Sequence, residues 1–417
     1  MSSSHPIVLR NLKLLEPTFD EVREGYEILI EGDRIRELSD TPITAALAQV
    51  IDCGGRVVMP GLIDCHVHCM HSEVYMRRME DVPLTMAAAR GARRIREMID
   101  RGFTTARDTG GTDWGMKAAV DQGLIPGPRL FIAGRSIGPT GGHSDGRSRT
   151  NSGYACPCCN GQAFLRLVVD GADEVRKAVR EQMRQGCDHV KIMVSGGVAS
   201  PHDPLDSDQF SDDEISAAVE EAEAFGRYVC AHAYTPRAIT RAVTLGVRTI
   251  EHGNLIDAAA AAVMAEHGAY LVANLVAYVA MKERAAEYGM PPAMLEKNDM
   301  VLEGGYRSLE ICREAGVKVA YGSDLLGPLA TDQSREFSIR REVQPAMDVI
   351  RSATTIAAEV IRRPGQLGTL KAGAWADLIV VDGDPLDDIS VLENQGARMA
   401  AIMKGGVFHK NRIGAAA

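Results

Sequence analysis

The chain has 417 residues, 45% of them hydrophobic and 24% charged, a balance that suits a large globular core with a smaller unit attached. With 46 basic against 56 acidic residues its formal charge is −10, and the absence of any dense Lys/Arg block argues against nucleic acid as a partner. No run approaches the roughly 18 apolar residues of a membrane span, so no membrane partner is expected. The start, MSSSHPIVLRNLKLLEP, does not read as a secretory leader. The nine scattered cysteines are expected to be reduced thiols of a cytoplasmic protein.

In chain order, PIVLRNLKLLEP, EILIEGDRIRELSD and AQVIDCGGRVVMPG read as a β-meander, with a turn at Gly32-Asp33. A similar texture returns in GTLKAGAWADLIVVDGDPLDDI and RMAAIMKGGVFHK near the other end. The two ends are therefore expected to build one small composite β-sandwich domain, residues 1–59 and 365–417. Residues 60–364 between them alternate strand-like and helical runs. The strand-like runs are 62–68, 103–109, 129–134, 189–196, 228–234, 249–253, 270–275 and 317–324. Helical periodicity fills many of the gaps, as in DEVRKAVREQMRQG, SDDEISAAVEEAEAFG and TPRAITRAVTLG, each closed by Gly. Eight strand–helix units over roughly 250 residues predict an α/β fold, a (β/α)₈ TIM barrel. Residues 136–165 break the rhythm with a long Gly- and Ser-rich connection. Since it leaves the third strand at its carboxyl end, it reads as a lid over a site. Within it Cys156, Cys158 and Cys159 have no partner pair at zinc-ribbon spacing and read as free thiols in a loop turn.

The chemistry-bearing residues follow the strands. His66 and His68, in IDCHVH, are two apart in an apolar run, so on a strand both imidazoles share one face and can share one metal ion. Lys191, His232, His252 and Asp324 follow, each in or at the end of a strand-like run. Barrels carry their chemistry at the carboxyl ends of the strands. Lys191 is nearer the middle of its run, so its long side chain must reach upward.

With VVMPGLIDCHVH, TGGHSDG, VKIMVSGGVASPHDP, CAHAYT, IEHGN, YGSD and LGTLKAGAWADLIVVDGDP in place, the chain resembles the amidohydrolase superfamily over nearly its whole length. Within it the likeness is to the prolidase-like branch of Xaa-Pro and other dipeptidases and ochratoxin-degrading amidohydrolases. The resemblance implies a site for two zinc or other divalent ions. His66, His68 and Asp324 would hold one ion, His232 and His252 the other, and Lys191 would bridge them as N6-carboxylysine. A free ammonium would repel both cations, whereas a carbamate offers two anionic oxygens.

A bridging hydroxide is then expected to attack the carbonyl, with Asp324 taking its proton and delivering it to the departing amine. His143 and Tyr234 are expected near the scissile carbonyl. Arg147 and Arg237 are candidates to pair with a substrate carboxylate. His71 and His202 lie near ligand motifs but are not read as ligands. The expected partners are small amides: dipeptides, N-acyl amino acids or ochratoxin A, cleaved next to a C-terminal amino acid by a homo-oligomer. A deaminase or cyclic-amide hydrolase on the same scaffold is the first rival. Such deaminases typically carry a Glu three residues after the fifth-strand histidine, where this chain has Thr235. An esterase or lactonase stays open, and a non-catalytic scaffold would be expected to lack part of the ligand set.

Overall fold

A computed structural model of the chain describes residues 5–147, 164–200 and 203–413. Strands Ile7–Leu14, Arg23–Glu31, Arg34–Ser39 and Gln49–Pro60 join Leu378–Val381, Met399–Lys404 and Val407–Asn411 in one continuous sheet, so both ends of the chain do build a single small β-domain. The ends meet where Leu378–Val381 runs antiparallel to Gln49–Pro60, with Ile379 opposite Met59 and Val380 opposite Val58. The hairpin at Gly32 is as expected: Glu31 faces Arg34, and Gly32 takes the positive φ of 61° that the turn requires. Alternation explains how the domain is fastened. Leu378 and Val380 enter a core with Leu9, Leu14 and Ile28, while Ile379 and Val381 enter another shared with Leu62, Phe103 and Leu130 of the barrel.

The barrel strands are Leu62–Val67, Phe103–Asp108, Arg129–Ile132, Val190–Met193, Val229–Ala233, Thr249–His252, Tyr270–Ala273 and Val319–Tyr321. Each lies within a run read from the sequence. Closure needs two stitches. Between the third and fourth strands, Asp188 N–H donates to the Ile132 carbonyl at 2.7 Å, and Ile137 pairs in parallel with Ile192. Between the last and first, Ser323 and Asp324 N–H both donate to the His66 carbonyl, at 3.2 and 2.8 Å. The result is the (β/α)₈ barrel. In the fifth strand Val229, Ala231 and Ala233 pack outward into the main hydrophobic core, which leaves Cys230 and His232 on the inner face.

Local signals set the helices. Helix Asp212–Ala224 starts at Ser211 in a reciprocal capping box with Glu214, and Pro236–Thr244 starts at Thr235, whose hydroxyl accepts from Ala238 N–H. The described ends of the long connection are more ordered than the sequence suggested. Ser136–Gly138 and Arg166–Val168 form short parallel strands, with Ser136 opposite Arg166. The bulk of the expected lid, with Cys156, Cys158 and Cys159, lies outside the described residues, as does His202. No described helix is long and apolar enough to cross a membrane.

Glu336 is buried without a cation at contact distance among the described residues. Glu336 accepts from Val276 N–H at 2.6 Å through Oε2, while Oε1 has no partner. Burial pushes its pKa up to about 8, against the opposing charge of Arg340. The unfolded chain releases this proton near pH 4.3. The stability that the group supplies is therefore complete below that pH and is lost as pH rises toward about 8. Glu336→Gln is expected to gain stability relative to the native chain by roughly 3–4 kcal/mol between about pH 5 and pH 8. Thermal melts of both proteins at the two pH values measure this; parallel curves would count against a protonated Glu336.

Candidate active site

The carboxyl ends of the strands open into a cavity with about 750 Å³ of empty space, continuous with solvent. His66, His68, Lys191, His232, His252 and Asp324 all line it, as do His143 and Tyr234. Arg147 and Arg237 do not. Arg147 is bidentate to Asp145, at 2.7 and 2.6 Å, and the exposed Arg237 pairs with Asp208 at 2.8 Å. His71 also lines the cavity, its ring 4.5 Å from that of His68.

Each candidate ligand histidine has one nitrogen tied to the protein. His66 Nδ1 lies 2.7 Å from Glu251 Oε2, His68 Nδ1 donates to the Gly110 carbonyl at 2.9 Å, and His232 Nε2 donates to the Gly196 carbonyl at 3.0 Å. His252 Nδ1 is held by Asn274 Oδ1 at 3.2 Å and the Tyr278 hydroxyl at 2.9 Å. A neutral ring that donates through one nitrogen carries a lone pair on the other. The free Nε2 atoms of His66 and His68 lie 3.3 and 3.2 Å from Asp324 Oδ1. His66 Nε2 is buried with no hydrogen-bond partner, a costly state that a cation would relieve. Donor atoms of His66, His252 and Asp324 lie within 4.8 Å of one another, close enough to share an ion. The donor set therefore fits a divalent metal. Lys191 is buried in the same cavity, and among the described residues its Nζ has no hydrogen bond or ion pair.

The strands impose this arrangement, with two local departures. Asp64, His66 and His68 share the inward parity of the first strand, while Ile63 and Cys65 pack elsewhere. Thr249 and Glu251 share the inward parity of the sixth strand, so His252 should face away. It does not, because its φ of 79° turns it into the cavity, and Asp324 has a φ of 49°. Such left-handed backbone in non-glycine residues stores strain that surrounding contacts must hold.

Those contacts come from residues to which sequence reasoning gave no role. Arg107 Nη2 lies 2.7 Å from both oxygens of Glu251, its Nη1 donates to Thr249 Oγ1 at 3.1 Å, and its Nε donates to the Cys65 carbonyl at 2.5 Å. Asp64 accepts from Ser323 Oγ at 2.6 Å, Gln333 Nε2 at 2.8 Å and His66 N–H at 3.0 Å. The available signal was a carboxylate at inward parity within an otherwise apolar strand.

Electrostatics suit cation binding. Burial, followed by the neighbouring His143 and His252, holds His232 well below the usual histidine range, and burial does the same to His252. Both rings are neutral and able to donate a lone pair. Burial alone would raise the Asp324 carboxyl, but protonated His66, a form that Asp324 itself favours, together with His68 and His252 holds it well below the usual carboxylate range; a cation held at the same atoms would replace that positive charge. Burial also pushes the Tyr234 phenol up, so it stays protonated. Its hydroxyl lies 2.9 Å from that of Tyr278. His143 stacks on His232 with ring centroids 4.3 Å apart; its Nδ1 is 2.7 Å from Ser200 Oγ and 3.5 Å from Asp203 Oδ2.

A barrel whose mouth gathers imidazoles beside an aspartate, with donor atoms close enough to share an ion, points to a class of hydrolytic enzymes. Residues 57–407 match the amidohydrolase family. The chain is 47% identical to an amidohydrolase of known crystal structure, covering 97% of this chain and 99% of that one with a TM-score of 0.95. It is 48% identical to a prolidase crystallised with N-methylphosphonate-L-proline, covering 97% and 100% with a TM-score of 0.95. Ochratoxinase of Aspergillus niger is 30% identical over 373 residues, covering 85% of this chain and 76% of that protein. The chain belongs to the amidohydrolase family, hydrolases of amide bonds, and to its prolidase-like branch.

Removing Glu251 tests the support beneath His66. Glu251→Ala leaves Arg107 buried without its carboxylate and is expected to destabilise the fold by about 3–5 kcal/mol. The readout is a fall in melting temperature; an unchanged value would show that the buried pair is dispensable.

Proposed function

We propose that the chain hydrolyses the amide bond joining an acyl or aminoacyl group to a C-terminal amino acid. Dipeptides and N-acyl amino acids head the substrate class, and ochratoxin-like aryl amides belong to it. His66, His68 and Asp324 would hold one divalent ion, and His232 and His252 a second, with Lys191 between them as a carbamate. The observation that carries this reading is the set of tied imidazoles, whose remaining lone pairs converge beside Asp324. Bound divalent ions supply Lewis-acid polarisation of a carbonyl and lower the pKa of water toward neutrality.

The chain's own residues do the rest. Asp324, ionised and facing His66 and His68, takes the proton of the attacking water and passes it to the amine, since an amide nitrogen leaves poorly unless protonated. Tyr234 and His143 both pack against His232 and can donate to the oxygen that becomes negative during attack. Met193, Ala277, Met281 and Leu325 give the cavity apolar walls suited to a hydrocarbon side chain. The similar prolidase was crystallised with a tetrahedral phosphorus on a proline nitrogen, the shape of an amide under attack, which supports the same bond class here.

Elemental analysis together with a panel of Xaa-Pro, Xaa-Phe and Xaa-Arg dipeptides and ochratoxin A tests the proposal. About two zinc ions per chain with amide cleavage is the expected result. One ion or none, with no cleavage across the panel, would sink it. On whichever substrate is cleaved, Tyr234→Phe is expected to lower kcat by roughly 100-fold with little change in KM. A full-speed phenylalanine variant would remove Tyr234 from the reaction.

A further inference from the structure

The proposed substrates end in a free carboxylate, and the two arginines nearest the sequence motifs are already neutralised by Asp145 and Asp208. Resting on that functional reading, we propose that Arg166 is the residue that binds this carboxylate. Among the described residues it is the only arginine lining the cavity. It opens the short strand Arg166–Val168, opposite Ser136, another cavity residue.

Its charge is not matched by the chain. Among the described residues no carboxylate lies within 4.0 Å of its guanidinium, in contrast to Arg107, Arg147 and Arg237. The adjoining residues 148–163 contain no Asp or Glu, and residues 201–202 are Pro-His. Its hydrogen bond among the described residues is a long one, from Nη1 to the His143 carbonyl at 3.5 Å. A guanidinium has five N–H donors in a planar fork, so most of them are uncommitted among the described residues. Burial lowers its pKa to about 10, against the more distant charges of Asp203 and Asp145, so it remains cationic at neutral pH.

The ligand that completes such a group is a planar anion with two oxygens, and a carboxylate meets the fork with two parallel hydrogen bonds. Position supports the match. In a C-terminal residue the carboxylate is one carbon beyond the amide nitrogen. Arg166 touches the main chain of His143, so an anion there lays the amide beside the His143 and His232 rings. Lys297, a nearby cation, is already spent on the carbonyls of Gly197, Ser200 and Asp203, at 3.1, 3.1 and 2.6 Å.

The test is equilibrium binding by titration calorimetry, which needs no turnover. L-Proline, L-phenylalanine and L-arginine, products of the proposed cleavage that carry no acyl amide bond, are compared with their carboxamides on the native protein, Arg166→Gln and Arg166→Lys. The native protein is expected to bind at least one carboxylate more than tenfold tighter than its amide. Arg166→Gln should erase that preference, and Arg166→Lys should keep part of it. Circular dichroism checks that the variants fold; if Arg166→Gln does not, Arg166→Lys still has to show a weakened preference. A native protein indifferent to the carboxylate, or binding none of the ligands, overturns the assignment, as does an undiminished preference in the variants. If the carboxylate preference depends on Arg166 but the dipeptide panel is not cleaved, the anion site stands and the proposed reaction falls.

Discussion

A guanidinium sealed inside the barrel has to be answered there, and Glu251 answers Arg107. The pair joins three strands across the barrel interior: Arg107 lies on the second, its Nε reaches the Cys65 carbonyl on the first, and Glu251 and Thr249 lie on the sixth. A buried ion pair adds little net stability over well-packed apolar side chains, because desolvation offsets most of the attraction. Its return is orientation. Glu251 Oε2 has a lone pair left for His66 Nδ1, which fixes the tautomer and aims Nε2 at Asp324. The catalytic end is thus braced from below, by groups that never reach the cavity.

The upper braces work against backbone strain. Asp324 and His252 have left-handed φ values, and neither is free to relax. Asp324 N–H is tied to the His66 carbonyl, and Asp64 holds the preceding Ser323 through both its N–H and its hydroxyl. His252 is fixed through its ring by Asn274 and Tyr278. Opposite them, Lys297 grips the segment after the fourth strand by its carbonyls, and that segment supplies Ser200 and Asp203 to His143. The rings of His66, His68, His143, His232 and His252 are therefore each held by at least one partner outside the proposed chemistry.

The barrel, the sheet built from both chain ends and the residues that meet in the cavity were legible because they rest on local pattern. Period-two apolar runs, capping residues and closing glycines mark the elements, and His66, His68, His232 and His252 sit in short motifs at strand ends. The braces were not legible, since their partners are far apart in the chain: Arg107 and Glu251 are separated by 144 positions, Asp64 and Ser323 by 259. No window contains both halves. The arginines failed for the opposite reason. Arg147 directly follows a motif, but that motif contains Asp145 two positions earlier, and the nearer carboxylate takes it. Arg166 follows a loop without motif character, and only the fold brings it to the cavity beside His143.

The hydroxyl chain behind the site acquires a direction from the metal reading. If His252 gives its Nε2 lone pair to a cation, its proton resides on Nδ1, which then donates to Asn274 or Tyr278 rather than accepting. Tyr278, accepting from His252, is free to donate its own proton to the Tyr234 oxygen 2.9 Å away. Tyr234 in turn has its O–H to spare for the cavity. Without the cation the same three groups can run in reverse, with Tyr234 donating to Tyr278 and Tyr278 to an unprotonated Nδ1. Occupancy of that second ring nitrogen would thus decide whether the tyrosine at the cavity wall presents a hydrogen-bond donor or withholds it. The ligand set and the oxyanion donor would then be assembled by a single event.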